Sequence, residues 1–375
     1  MNTPPLEIFL AAPPGLEPQL AQEAAVLGFA DPRAVPGGVI VTGDWTQVWR
    51  ANLALRGAGR VLVRIGSFMA FHLAQLDRRA RKFPWGEVLP AGLPVRVEVS
   101  CHGSKIYHAG AAAERIETAL RESFGATVSP QAALVLKVRI EDNKVTISVD
   151  ASGEPLHKRG HKEAVGKAPM RETLAALFLR RCGFDGTEPV IDPMCGSGTF
   201  VIEAAEIAAG LVPGRSRSFA FERLASFDAE RYAALRAGLL SRSAAAPAGP
   251  PRFLGFDRDA GAVRASLSNA ERAGVGGMVA IAQGPISALE RPDGPPGLVM
   301  VNPPYGARIG NKKLLYALYG KLGAVLAERF AGWRVGLVTS EPGLAKATGL
   351  PFAPLEAPVS FGGLKVRLHR TGPLR

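Results

Sequence analysis

Pro189-Val190-Ile191-Asp192-Pro193-Met194-Cys195-Gly196-Ser197-Gly198-Thr199-Phe200-Val201-Ile202-Glu203 is the stretch that decides the fold. A short apolar run ends in an acid, enters a glycine-serine-glycine turn and opens a stretch of helical period. Glycines at such a turn let the backbone approach a ligand closely. The place for that is the carboxyl edge of a parallel sheet. A turn that opens a helix also suits a phosphate. However, no Lys-Ser/Thr pair follows the glycines, and the G-x-G-x-x-G spacing is absent. Asp192 stands before the turn instead, which suits a cationic or amine-bearing ligand.

Downstream, apolar runs alternate with helical stretches, which implies a doubly wound parallel sheet. Strands are expected at 189–192, 252–256, 278–282, 297–301, 333–339 and 363–369. The second of these ends in Phe253-Leu-Gly-Phe-Asp257-Arg-Asp259. Asp257 is placed to grip two vicinal hydroxyls, with a helix-capping role as the alternative. Asp259 is expected to cap the helix that follows.

The fourth strand runs into Asn302-Pro303-Pro304-Tyr305-Gly306. Two prolines fix φ and remove two backbone donors, leaving bare carbonyl acceptors beside an amide and an aromatic ring. Asn302 Oδ1 and the Pro303 carbonyl would accept both protons of a flat amino group, and Tyr305 would stack on the ring that carries it.

In this order the three motifs resemble those of the class I S-adenosylmethionine-dependent methyltransferases. More narrowly, the chain is similar to the THUMP-domain RNA guanine-N2 methyltransferases, which include bacterial 23S ribosomal RNA enzymes. Leu156-His-Lys158-Arg159-Gly-His161 and Ala168-Pro169-Met-Arg-Glu172 fit that resemblance too. It implies a Rossmann-like catalytic domain, S-adenosylmethionine as cofactor and RNA as partner. Asn302, Pro303, Pro304 and Tyr305 would be catalytic. Asp192, Pro193, Cys195, Gly196, Ser197, Gly198 and Thr199 would hold the methionine end of the cofactor, with Ala168 and Pro169 beside it and Asp257 on the ribose. Two positions depart from the family pattern. Pro285 stands where many relatives carry an acid for the adenine amine, and Phe361-Gly362-Gly363-Leu364 replaces an Asn-Gly-x-Leu.

The N-terminal half reads as α+β. Residues 1–70 suggest a ferredoxin-like module, 71–155 correspond to the THUMP RNA-binding domain of the family, and 156–375 form the catalytic domain. The net charge of +12 favours nucleic acid or an anionic surface. Its distribution points to RNA. Arg78, Arg79, Arg81 and Lys82 close a basic segment in which Asp77 is the one acid after Arg50, and Lys158 and Arg159 open another near the candidate site. These six side chains are the expected RNA contacts.

The three cysteines, Cys101, Cys182 and Cys195, lack CxxC spacing, so neither a zinc site nor a disulfide framework is expected. Cys195 is read as a small side chain in a tight turn, not a nucleophile, for want of a paired base. No apolar run reaches membrane-spanning length, and the first residues lack a basic stretch of signal-peptide type. A cytoplasmic location fits. The same asparagine-proline loop also serves DNA adenine-N6 and protein glutamine methyltransferases, and a transfer-RNA guanine substrate remains open. A non-catalytic RNA-binding assembly factor is the alternative from another class.

Overall fold

The computed structural model describes residues 5–163, 170–242, 251–305, 312–361 and 363–375. The chain divides into two compact units: residues 1–12, 20–156 and 217–239 in the first, and residues 13–19, 157–216 and 240–375 in the second.

The first unit is built on one seven-stranded sheet. Its strands are β1 (Leu6–Ala11), β2 (Ala30–Val35), β3 (Gly38–Gly43), β4 (Arg60–Met69), β5 (Val95–His102), β6 (Leu134–Glu141) and β7 (Lys144–Asp150). Their order is β2-β3-β1-β4-β7-β6-β5. Only β5 and β6 run parallel; the other neighbours are antiparallel. The helices α1 (Glu17–Val26), α2 (Trp45–Ala54), α3 (Leu73–Arg81) and α4 (Ala109–Ala119) accompany the strands. Asp44 caps α2, accepting the Gln47 N–H at 3.1 Å. The expected boundary near residue 70 falls inside this sheet, because β4 pairs with β1 on one side and β7 on the other.

Two features of this unit differ from the sequence reading. The segment Ala30-Asp-Pro-Arg-Ala-Val35, to which the sequence reading assigns no element, forms the edge strand β2. An edge is where a strand tolerates a residue without a backbone donor, and the register shifts between Ala30 and Arg33, with Asp31 at φ +43°. Residues 217–239, read as part of the catalytic domain, belong to the first unit. Aromatic packing explains this. Trp49 of α2 lies 6.2 Å from Phe221, 5.8 Å from Phe227 and 6.1 Å from Tyr232, ring centre to ring centre.

In the second unit α5 (Glu172–Arg181) leads to β8 (Val190–Asp192) and α6 (Thr199–Ala208). After the helix α7 (Ala229–Leu240), whose residues 229–239 belong to the first unit, come β9 (Phe253–Asp257), α8 (Ala260–Arg272), β10 (Val279–Gln283) and β11 (Leu298–Val301). Then come α9 (Lys312–Arg329), β12 (Arg334–Thr339), α10 (Pro342–Ala347), β13 (Val359–Phe361) and β14 (Leu364–Arg370). The sheet order is β10-β9-β8-β11-β12-β14-β13. Strands β8 to β12 are parallel, and β14 runs antiparallel to both of its neighbours. The central strands read as unbroken apolar runs because they are covered on both faces: every residue of β8 and β11 is buried. All six expected strands of this unit are present. The added β13 is three residues long, too short for alternation to announce it.

Candidate active site

The chain order reverses at β8, whose neighbours are β9 on one side and β11 on the other. A crevice at the carboxyl ends of strands is the usual ligand site at such a switch point. The three sequence motifs end these three adjacent strands: Asp192 closes β8, Asp257 closes β9, and Asn302 follows β11.

Asp192 is buried, and its Oδ1 accepts the Met194 N–H at 3.0 Å. Burial pushes its carboxyl up to about 8, and the negative charge of Asp257 adds to the rise. The acid is therefore uncomfortable as an anion until a cation joins it. Beyond it the glycine turn takes conformations that side chains avoid, with φ +55° at Gly196 and +79° at Gly198. A side chain at Gly196 would enter open space, whereas one at Gly198 would press on Ile202 and Ser266. Pro193, Ser197 and Thr199 are buried in and behind the turn. The Thr199 hydroxyl donates to the Met170 carbonyl at 3.5 Å. Ala168 and Pro169 lie outside the described residues.

The turn is clamped from two directions. Asp257 Oδ2 accepts the Gly196 N–H at 3.0 Å, and its Oδ1 accepts the Asp259 N–H at 3.0 Å. Each oxygen thus keeps a further lone pair for a hydroxyl. Asp259 is the α8 cap, accepting the Ala262 N–H at 2.8 Å. From α8 itself, the Ser266 hydroxyl donates to the Gly196 carbonyl at 2.6 Å, and Asn269 Nδ2 donates to the Ser197 carbonyl at 3.1 Å. Sequence reading passes over Ser266 and Asn269. The available signal is their three-residue spacing on a helix whose other buried residue is Ala270, because a buried polar side chain must find a partner. Cys195 is buried 3.7 Å from the Ser266 hydroxyl, and burial pushes its thiol far up. A side chain at Gly255 of β9 would strike its sulfur and Ile281.

After β11, Asn302 Oδ1 is buried with no hydrogen-bond partner among the described residues. An unpaired buried acceptor costs free energy, so this oxygen is open to a donor. Pro303 is buried and Pro304 exposed. The Tyr319 hydroxyl of α9 donates to the Pro304 carbonyl at 3.3 Å and lies 3.5 Å from the Thr339 hydroxyl at the end of β12. Burial raises its phenol well above the usual tyrosine range, and Tyr305 is close enough to contribute. Tyr305 itself is 8 % exposed. It is turned into the fold, not held out as an open stacking face. Gly306 lies outside the described residues.

The expected RNA contacts separate into two groups. Arg78, Arg79, Lys82 and Lys158 are exposed. Arg81 is engaged by two carboxylates, Asp77 at 2.8 Å and Glu122 at 2.7 Å. Arg159 is corrected outright: it is 2 % exposed and paired with Glu203 and Glu206 of α6, the latter at 3.0 Å. Burial works against the charge of this guanidinium, and the Glu203 and Glu206 carboxylates outweigh it and raise its pKa. Two acids inside the apolar run of α6 are the sequence signal for a buried cation. The adjoining Lys162 donates to the Met170 carbonyl at 2.6 Å and pairs with Glu172 at 3.3 Å, so the same cluster anchors the start of α5. At the end of β10, Gln283 Nε2 donates to the Arg258 carbonyl at 3.1 Å, beside the exposed Pro285.

A buried acid, an open glycine turn and a second acid on adjacent strand ends fit a ligand that carries a cation and a ribose. Parallel sheet, reversed last strand and these strand ends define a class I methyltransferase fold. The comparisons agree and make this specific. Residues 159–366 match the RMKL-like methyltransferase domain, and residues 7–62 match the RlmL ferredoxin-like domain. The chain belongs to the RMKL-like methyltransferase-domain family. It is 33 % identical over 356 residues to the ribosomal RNA large subunit methyltransferase K/L of Methylococcus capsulatus, covering 92 % of this chain and 48 % of that protein. The chain thus spans about half the length of the curated relatives it matches. A solved chain from Listeria monocytogenes, described as a predicted N6-adenine-specific DNA methylase, superposes with a TM-score of 0.87 at 28 % identity, covering 98 % of this chain and 97 % of that one. Another, solved with SAH, has a TM-score of 0.87 at 26 % identity, covering 100 % and 99 %.

Proposed function

We propose that this chain transfers a methyl group from S-adenosylmethionine to the exocyclic N2 of a guanine in ribosomal RNA. The observation that carries the reading is the Asn302 Oδ1 at the end of β11, buried with no partner among the described residues and beside a pair of prolines. The cofactor, when bound, supplies an electrophilic methyl group. The protein's task is then to orient a weakly nucleophilic amine, whose lone pair is delocalised into the base.

Asn302 Oδ1 and the Pro303 carbonyl accept the two amine protons, which favours a pyramidal nitrogen and the positive charge that grows on it. This is electrostatic preorganisation, with no general base at the centre. Tyr319 holds the loop through the Pro304 carbonyl. Asp192 and Asp257, with the glycine turn between them, hold the cationic and hydroxyl-bearing ends of the cofactor. The target base enters from a single-stranded or flipped state.

Ribosomal RNA is favoured because the curated relatives carry that substrate in their names. The description of the Listeria neighbour supports a second reading, adenine N6 in DNA, since the same loop serves either amine. Nucleoside mass spectrometry separates the two. After incubation with the cofactor and ribosomal RNA, digested RNA is expected to contain N2-methylguanosine. N6-methyladenine in DNA with unmodified RNA would transfer the assignment to the second reading.

A further inference from the structure

We propose that one end of the first unit's sheet is a stacking platform for an unpaired nucleotide of RNA, built by Phe71, Lys105 and Tyr107. It deepens the RNA reading and rests on it.

Three segments meet at this end: the chain leaving β4, the loop between β5 and α4, and the turn between β6 and β7. They are tied by hydrogen bonds. The Ala70 N–H donates to the Asn143 carbonyl at 2.9 Å, the Lys105 N–H to Asn143 Oδ1 at 2.8 Å, and the Asn143 N–H to the Ser104 hydroxyl oxygen at 2.9 Å. Ile106 is buried and anchors the loop from within. The next residue, Tyr107, is 84 % exposed, and Phe71 is 41 % exposed. Lys105 Nζ lies 5.6 Å from the Phe71 ring centre.

A rigid frame that keeps a tyrosine ring in water is costly for folding alone, since burying such a ring is favourable. Aromatic rings beside cations are what sequence-tolerant binding of single strands uses: bases stack on the rings and phosphates meet the charges. The cations are present. Lys105 and Lys144 are exposed here, and Arg78 and Arg79 are exposed on α3, which begins two residues after Phe71. Of the two nearby acids, Glu141 is paired with Arg139 at 2.6 Å, leaving Asp142 as the local negative group. The histidines of this end cap helices: His72 Nδ1 accepts the Gln75 N–H and His108 Nδ1 the Ala111 N–H. Among the described residues they join no group able to hold a metal.

The test uses the full chain and a fluorescein-labelled, unstructured oligoribonucleotide of about ten nucleotides, within the usual span of a single-strand site. Tyr107→Ala and Phe71→Ala are each expected to weaken binding about tenfold, the scale of one lost stacking contact. Tyr107→Phe should bind like the parent, and all three variants should keep the parent's affinity for S-adenosylhomocysteine by calorimetry. Unchanged RNA affinity in both alanine variants, with the parent binding the probe, would overturn the platform and leave the RNA reading standing. A parent that binds neither this probe nor ribosomal RNA would overturn the RNA reading and the platform with it. If the alanine variants keep RNA affinity but release a co-purifying protein, the patch is a protein contact and the proposal fails.

Discussion

Asp192 carries the most direct electrostatic consequence of the site. Its carboxyl is held near 8 by burial, against 3.8 for a free aspartate. A raised carboxyl pKa stabilises the folded state below the free value, and that stability is lost as pH rises from about 4 through about 8. The ligand-free protein should therefore become less stable over that window, and Asp192→Asn should flatten the trend. Cationic ligands reverse the preference, because they favour the ionised carboxylate. Affinity for S-adenosylhomocysteine should rise with pH up to about 8 and level off above it, with close to one proton released per molecule bound at pH 7. Calorimetry in buffers of differing ionisation enthalpy reads that proton directly. No proton release at pH 7 would place the ligand's cation away from Asp192. The residues legible in the sequence were of this type: an acid or an asparagine at the end of an apolar run announces itself locally. Ser266, Asn269 and Tyr319 do not, since each acts on a loop far away in the chain.

Among the elements, the pairing of α9 with the asparagine-proline loop sets how firmly the proposed amine acceptors are held. Tyr319→Phe removes the hydroxyl that reaches the Pro304 carbonyl and Thr339 and keeps the ring. A hydrogen bond of this kind is worth about 1 kcal/mol, a several-fold effect. It should appear as a fall in kcat with cofactor affinity unchanged. An equal loss of cofactor affinity would mean that Tyr319 supports the whole crevice and not this loop. Elements with a clear period were legible in advance: the parallel strands of the second sheet follow from continuous apolar runs. The edge strand β2 was hidden by Pro32. The placement of residues 217–239 was hidden because an aromatic cluster around Trp49 is a tertiary fact with no local period. The same limit explains Arg159. A basic run looks like a phosphate-binding surface until the acids of α6 are seen to take one of its members inside.

For the whole molecule, the family is fixed by a second unit in which three motifs, scattered over more than a hundred residues, end adjacent strands. The net charge of +12 suits a polyanionic partner. Among the described residues no helix is long and apolar enough to cross a membrane. The central claim is that the Asn302 amide receives the target amine and takes no part in holding the cofactor. One paired measurement on Asn302→Ala tests it: calorimetric affinity for S-adenosylhomocysteine, and single-turnover methyl transfer to ribosomal RNA with the product identified by mass spectrometry. The account predicts near-parental affinity, methyl transfer reduced roughly 100-fold, and N2-methylguanosine as the product of the parent. Methyl transfer at the parental rate by Asn302→Ala, or loss of cofactor binding in its place, would contradict it.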